Sequence, residues 1–143
     1  MAINRRAEAQ WNGSVVEGNG NVKLGSGAFE GEYSFNSRFG DDTKRTNPEE
    51  LIAAAHAACF SMALSATLGK AGFKPVKIET KANVKLEKQG EAFVIPNIIL
   101  ETEAEVPDIS EEDFQTYAKS AKENCPVSKV LAGAEITLNA TLK

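Results

Sequence analysis

The sequence predicts an α+β fold in which antiparallel β-strands are built around one long apolar helix. Three observations carry this. Strand-like alternation dominates the first third and recurs from Val76. A single strongly capped apolar run lies between them, from Asn47 to Leu68. The strands are separated by short turn clusters, the pattern of hairpins rather than of βαβ units.

The elements follow in order. In Arg6–Trp11 apolar and polar residues alternate, the period of a half-buried strand. Asn12-Gly13, Gly18-Asn19-Gly20 and Gly25-Ser26-Gly27 punctuate turns, with strands near Asn21–Leu24 and Ala28–Phe35. A polar loop from Asn36 to Thr46 contains Arg38 and Arg45. The helix then opens with Asn47 as N-cap, Pro48 at the first helical position and Glu50 three after the cap, as in a capping box. It is apolar nearly all round, so other elements are expected to cover it on most sides. From Val76 to Leu86, Val76, Ile78, Thr80, Ala82, Val84 and Leu86 share one face and a lysine-rich set the other. Gln89-Gly90 turns into a partner strand, Ala92–Val106, interrupted at Pro96. Ser110 and Asp113 open a second helix, Glu111–Glu123; Pro126 starts a short one to Leu131; and Ala134–Leu142 is a last strand. The order is β-β-β-α-β-β-α-α-β, in one domain spanning 1–143.

Bulk properties narrow the function. With 143 residues and a formal net charge of −4, the chain has neither the size for two domains nor the basic footprint of a nucleic-acid binder. The run Leu51–Leu68 approaches membrane-spanning length, but His56, Ser61, Ser65 and Thr67 dilute it, and it reads as a buried helix rather than a span. No apolar run follows Arg5-Arg6, so no secretory signal is expected and the setting is read as cytoplasmic.

Two cysteines are the candidates for chemistry. Cys59 lies mid-helix in Ala57-Ala58-Cys59-Phe60, where a thiol is normally inert packing; a cation has to reach it before it can serve as a nucleophile. Cys125 precedes Pro126 at a helix start, where N–H groups favour a thiolate. Spacing says nothing about whether the two meet. His56 stands one turn from Cys59, so a Cys–His or Ser61–His hydrolase is conceivable, although a lone histidine in an apolar helix is more often a core residue. Zinc held by Cys59, His56 and Cys125 lacks the usual spacing and a fourth ligand. The bland alternative is a small-molecule-binding stress protein with structural cysteines.

The segment Asn47-Pro48-Glu49-Glu50-Leu51-Ile52-Ala53-Ala54-Ala55-His56-Ala57-Ala58-Cys59-Phe60-Ser61-Met62-Ala63-Leu64 resembles the signature of the OsmC/Ohr family, the osmotically inducible protein C and organic hydroperoxide resistance proteins. Asn124-Cys125-Pro126-Val127-Ser128 resembles its second cysteine motif and Phe35-Asn36-Ser37-Arg38-Phe39 its arginine loop. His56 and the long Asn36–Thr46 loop look more like the OsmC branch. The resemblance implies an OsmC-like fold, an intertwined homodimer, and a cysteine peroxidase of oxidative and osmotic stress defence. Organic hydroperoxides would be reduced in preference to hydrogen peroxide. It implies that Cys59 is the peroxidatic cysteine, Cys125 the resolving one that closes a disulfide with it, Arg38 the activating cation and Glu49 the carboxylate that orients it. No bound cofactor is implied; the reductant would be an external dithiol, a dihydrolipoyl group, carried by lipoylated proteins.

The chemistry is coherent. A free thiol is about 3% thiolate at pH 7. A guanidinium in a partly dry site contributes ~2.7 kcal/mol toward the thiolate, which makes it the main form. Arg45 is the rival cation. Phe39, Phe60, Met62 and Val127 are candidate apolar neighbours for an organic substrate. Glu49 and Cys59 are ten residues apart, which on an unbroken helix is about 15 Å of rise and about 80° of rotation. Either the helix breaks after its first turn, or the two come from different subunits; the second is favoured, since an all-apolar helix also needs extra cover.

Overall fold

A computed structural model describes residues 1–143. The chain divides into two compact units, Met1–Leu51 and Ile52–Lys143.

The first unit is a three-stranded antiparallel sheet of β1 (Ala7–Asn12), β2 (Asn19–Leu24) and β3 (Glu30–Tyr33). Register places Trp11 opposite Gly20 and Gly20 opposite Tyr33. The Trp11 and Tyr33 rings stand 5.4 Å apart over Gly20. A Cβ at Gly20 would come within 2.6 Å of both rings, so only glycine fits beneath them. The alternation of β1 does not bury a face within one chain: Ala7 and Ala9 are exposed and Trp11 is partly so.

The segment expected as a loop contains a helical turn, α1 (Phe35–Phe39). Ser34 caps it reciprocally with Ser37: each hydroxyl accepts from the other's N–H. A Ser-x-x-Ser box carries no glutamate signal, and five residues are too few to show helical periodicity.

Helix α2 runs unbroken from Pro48 to Lys70. Asn47 Oδ1 accepts from Glu50 N at 2.7 Å, closing the expected cap. The Glu50 carboxylate does not reach back to the cap; it accepts from Thr46 Oγ1 at 2.8 Å. By length and composition α2 could cross a membrane. One stripe of it, His56, Phe60, Leu64 and Leu68, is fully buried at four-residue spacing, as in a core helix. The expectation of cover on most sides fails for the single chain: Ala54, Ala55, Ala58, Met62, Ser65 and Ala66 are exposed.

The second unit pairs β4 (Lys77–Val84) with β7 (Asn97–Glu105) antiparallel, and β7 with β8 (Glu135–Leu142) parallel. The parallel pairing departs from the antiparallel expectation. Its cause is the crossover made by α3 (Glu111–Asn124) and α4 (Pro126–Val130), which returns the chain to the end of the sheet where β7 began. Pro96 splits the expected long strand, leaving β5 (Glu87–Gln89) and β6 (Ala92–Val94) as a small hairpin turned at Gly90, φ +63°. Phe60, Leu64 and Leu68 meet Leu100 and Ala104 of β7 and Phe114, Ala118 and Ala121 of α3 in one apolar core.

Asn47 both caps α2 and donates from Nδ2 to the Ser37 carbonyl at 3.1 Å. Asn47→Ala is expected to lower stability by about 1–2 kcal/mol, while Asn47→Asp, which keeps the cap acceptor, loses less. Urea unfolding of the three chains measures the order.

Candidate active site

Pro126 decides where the second thiol sits. It disfavours helical backbone at the residue before it, so α3 ends and α4 begins at Cys125, which has ψ 122°. Cys125 N–H still bonds Ala121 O at 2.9 Å, and Cys125 O accepts from Lys129 N at 3.1 Å. The residue is thus fixed on both sides, and it is fully buried. Cys59, about two and a half turns beyond the polar start of α2, is partly exposed. The two sulfurs lie 2.7 Å apart, and both are free thiols. Sequence spacing could not show this meeting.

The charge in this pair is unequal. Burial is the main influence on Cys59 and raises its pKa; its contact with Cys125 raises it further, and the Val127 N–H offsets only part. Burial also opposes ionisation of Cys125. There, however, the Cys59 thiol, the N–H and hydroxyl of Ser128 and the Val127 N–H together outweigh it and lower the pKa. None of these closes a full side-chain cap on α4. Cys125 Sγ donates to Cys59 Sγ at 2.7 Å, and the polar groups about Cys125 favour ionisation there more than at Cys59. No cation is among the influences on Cys59.

The arginine and its carboxylate form a second centre, in the first unit. Arg38 Nε donates to Glu49 Oε1 at 3.0 Å and Nη2 to Oε2 at 2.9 Å, a fork-on-carboxylate pair. Glu49 is nearly buried, whereas 38% of the Arg38 side chain is exposed. The guanidinium also lies 5.2 Å over the Phe39 ring. Its backbone is held in place: Ser37 Oγ donates to Thr46 O at 2.7 Å, and Tyr33 bridges to Thr46. The rival Arg45 is engaged elsewhere, with Asp42 at 2.8 Å and Glu32 at 3.5 Å.

His56 does not pair with Cys59 or Ser61. Its Nε2 meets Ser128 Oγ at 2.8 Å, and Ser61 donates to Thr80 at 2.7 Å, so the hydrolase arrangement is not formed. No cluster of three or more His, Cys, Asp or Glu side chains is placed to hold a metal ion. Of the expected apolar neighbours, Phe60 turns into the core and Met62 is 75% exposed. Ser128 was not singled out from the sequence; its place three residues after a capping cysteine was the available signal.

The fold is an α+β scaffold that brings two free thiols into contact. The chain belongs to the OsmC-like family, whose model matches residues 40–140. It is 49% identical to Peroxiredoxin OsmC of Escherichia coli (strain K12), covering 100% of this chain and 99% of that one. The crystal structure of an organic hydroperoxide resistance protein from Elizabethkingia anophelis superposes with a TM-score of 0.76 at 27% identity, covering all of both chains. An OsmC-like protein from Mycoplasma pneumoniae gives a TM-score of 0.78 at 17% identity over 99% of each chain, a likeness of fold alone.

Burial holds the His56 pKa below its ordinary 6.5. The unfolded chain then binds the proton more readily, so this contribution to stability is present above pH 6.5 and is lost as pH falls below it. His56 is the only histidine. Between pH 6.5 and 5 the urea midpoint of the native chain is expected to fall more steeply than that of His56→Phe.

Proposed function

We propose that this protein is a cysteine peroxidase that reduces organic hydroperoxides to alcohols, and hydrogen peroxide less well, in defence against oxidative stress. The single observation that carries the reading is the contact between the Cys59 and Cys125 sulfurs. Cys59 is the peroxidatic residue: its thiolate attacks one peroxide oxygen, the O–O bond breaks, the alkoxide leaves as alcohol, and Cys59 becomes a sulfenic acid. Cys125 resolves it, forming the disulfide and releasing water. An external dithiol of the dihydrolipoyl type, free or on lipoylated proteins, returns both thiols. The cytoplasm, where such thiols are kept reduced, is the setting.

Arg38 activates Cys59 and Glu49 orients Arg38. With Nε and Nη2 engaged by Glu49, Nη1 is the arm outside the ion pair. The continuity of α2, in which ten residues span about 15 Å, supports the reading that the pair serves Cys59 of a second copy. The exposed face of α2 from Ala54 to Ala66 and the uncovered β1 support a homodimer, intertwined because each site draws on both chains. The single domain read from the sequence is completed in that dimer.

Cys59→Ser is expected to abolish turnover of cumene hydroperoxide, and Cys125→Ser to consume one equivalent and stop; Cys59 found unchanged by mass spectrometry after a stoichiometric dose would sink the reading. Mixed dimers of Glu49→Ala and Cys59→Ser chains are expected to regain about half the native activity, one site being intact. Activity no higher than either variant homodimer refutes the shared site.

A further inference from the structure

Two polar contacts join α2 to the segment that carries the second thiol. Cys125 Sγ donates to Cys59 Sγ at 2.7 Å, and His56 Nε2 meets Ser128 Oγ at 2.8 Å. His56 stands three residues before Cys59, and Ser128 three residues after Cys125. Three residues of helix rise about 4.5 Å. The order along one segment is the reverse of the order along the other, so the contacts are adjacent rungs between antiparallel stretches of chain. His56 and Cys125 are fully buried, and Ser128 is 6% exposed. His56 Nδ1 is buried and meets no hydrogen-bond partner, so the hydrogen bonding of this imidazole rests on Ser128. The peroxide chemistry itself makes no use of either residue.

The second rung matters because α4 has little else to hold it. Five residues are too few to be stable as a helix alone. Within Pro126–Val130 only Ser128 is buried. Pro126, Lys129 and Val130 face solvent, and none of the five joins the apolar core. We propose that His56 and Ser128 are a positioning pair, whose hydrogen bond seats α4 on α2 and so presents Cys125 to Cys59 for disulfide closure. The use of that closure in a peroxide cycle rests on the peroxidase reading. The pairing of the two thiols belongs to the chain itself and is testable without peroxide.

A seated α4 raises the effective concentration of one thiol at the other. Without the rung, α4 has to be ordered as the S–S bond forms, and the lost freedom opposes the bond. With it, the ordering is complete in the reduced protein. The coupling is reciprocal: whatever the rung adds to the disulfide, the disulfide adds to the rung. Exchange with glutathione reads this directly. The Cys59 and Cys125 thiols become one S–S bond, and one oxidised glutathione takes their two electrons and two protons to become two reduced glutathiones. A general loss of stability acts alike on the reduced and oxidised protein and cancels from this equilibrium, whereas a loss of positioning does not.

The test measures the Cys59–Cys125 disulfide equilibrium of the full chain in glutathione buffers. Ser128→Ala is expected to weaken the disulfide about tenfold, which for a two-electron couple is about 30 mV. Ser128→Thr keeps the hydroxyl and is expected to restore most of the native value. Ser128→Ala alone leaves the imidazole unpaired and could unfold the chain. His56→Phe combined with Ser128→Ala replaces both partners by apolar groups, so it is expected to fold and to show the same weakened disulfide. An equilibrium unmoved in a folded Ser128→Ala chain or in the combined variant overturns the proposal, and so does a Ser128→Thr chain as weak as Ser128→Ala. Given excess cumene hydroperoxide without reductant, Ser128→Ala is expected to carry more sulfinic acid at Cys59 than the native chain, read by mass spectrometry. If no chain consumes the peroxide, the peroxidase reading fails, while the glutathione equilibrium still decides the positioning pair.

Discussion

A thiol cannot act as a nucleophile until something holds its negative charge, and this chain turns on where that charge is held. An apolar helix is a poor place for it, and Cys59 stands in one. The donors within the same unit gather instead at Cys125, where Pro126 ends one helix and begins the next. The cation proposed for Cys59, Arg38, is forked onto Glu49 in the first unit. Glu49 holds the guanidinium in one orientation without spending all its donors. The proposed nucleophile and the proposed activator belong to different units of the chain, and the proposed dimer is what joins them.

The α2 helix shows how one element serves several demands. Its four-residue stripe of His56, Phe60, Leu64 and Leu68 fastens it to the sheet and α3. Its alanine-rich reverse is left open in the single chain. Small residues allow two backbones to approach closely, which suits an interface better than bulky apolar side chains that would need filled pockets. The same stripe that builds the core also carries the buried imidazole next to the thiols, so packing and chemistry are set by one helical phase.

Much of this was legible in the residues. Asn47-Pro48-x-Glu50 marked the start of α2 because cap chemistry is local, and the Lys77–Val84 alternation marked β4 because its face is half-buried as it should be. Arg38, Glu49 and the pairing of the two cysteines came through the family motifs, not through spacing. What was hidden depended on distant partners or on uncommon local caps. The parallel pairing of β7 and β8 follows from a crossover whose direction no local pattern encodes. The Ser34–Ser37 box uses a serine where the usual signature has glutamate. The Ser128–His56 contact joins residues 72 apart, and only the fold brings them together. Glu50 matched a capping box on paper, yet Thr46 offered its carboxylate a closer partner.

The unequal burial of the two sulfurs has a consequence for how the enzyme is recycled. Cys125 is sealed, whereas Cys59 keeps a path to solvent. In a disulfide between them an incoming thiol can reach only the Cys59 side, so the mixed disulfide forms there and Cys125 is expelled. The expelled sulfur is the one whose surroundings best tolerate a thiolate, and such a thiolate leaves faster. The regiochemistry of reduction is thereby fixed by shape and by leaving-group quality at once. Of the proposed dithiol reductant, the first sulfur bonds Cys59 and the second then attacks that first sulfur, which releases the Cys59 thiolate.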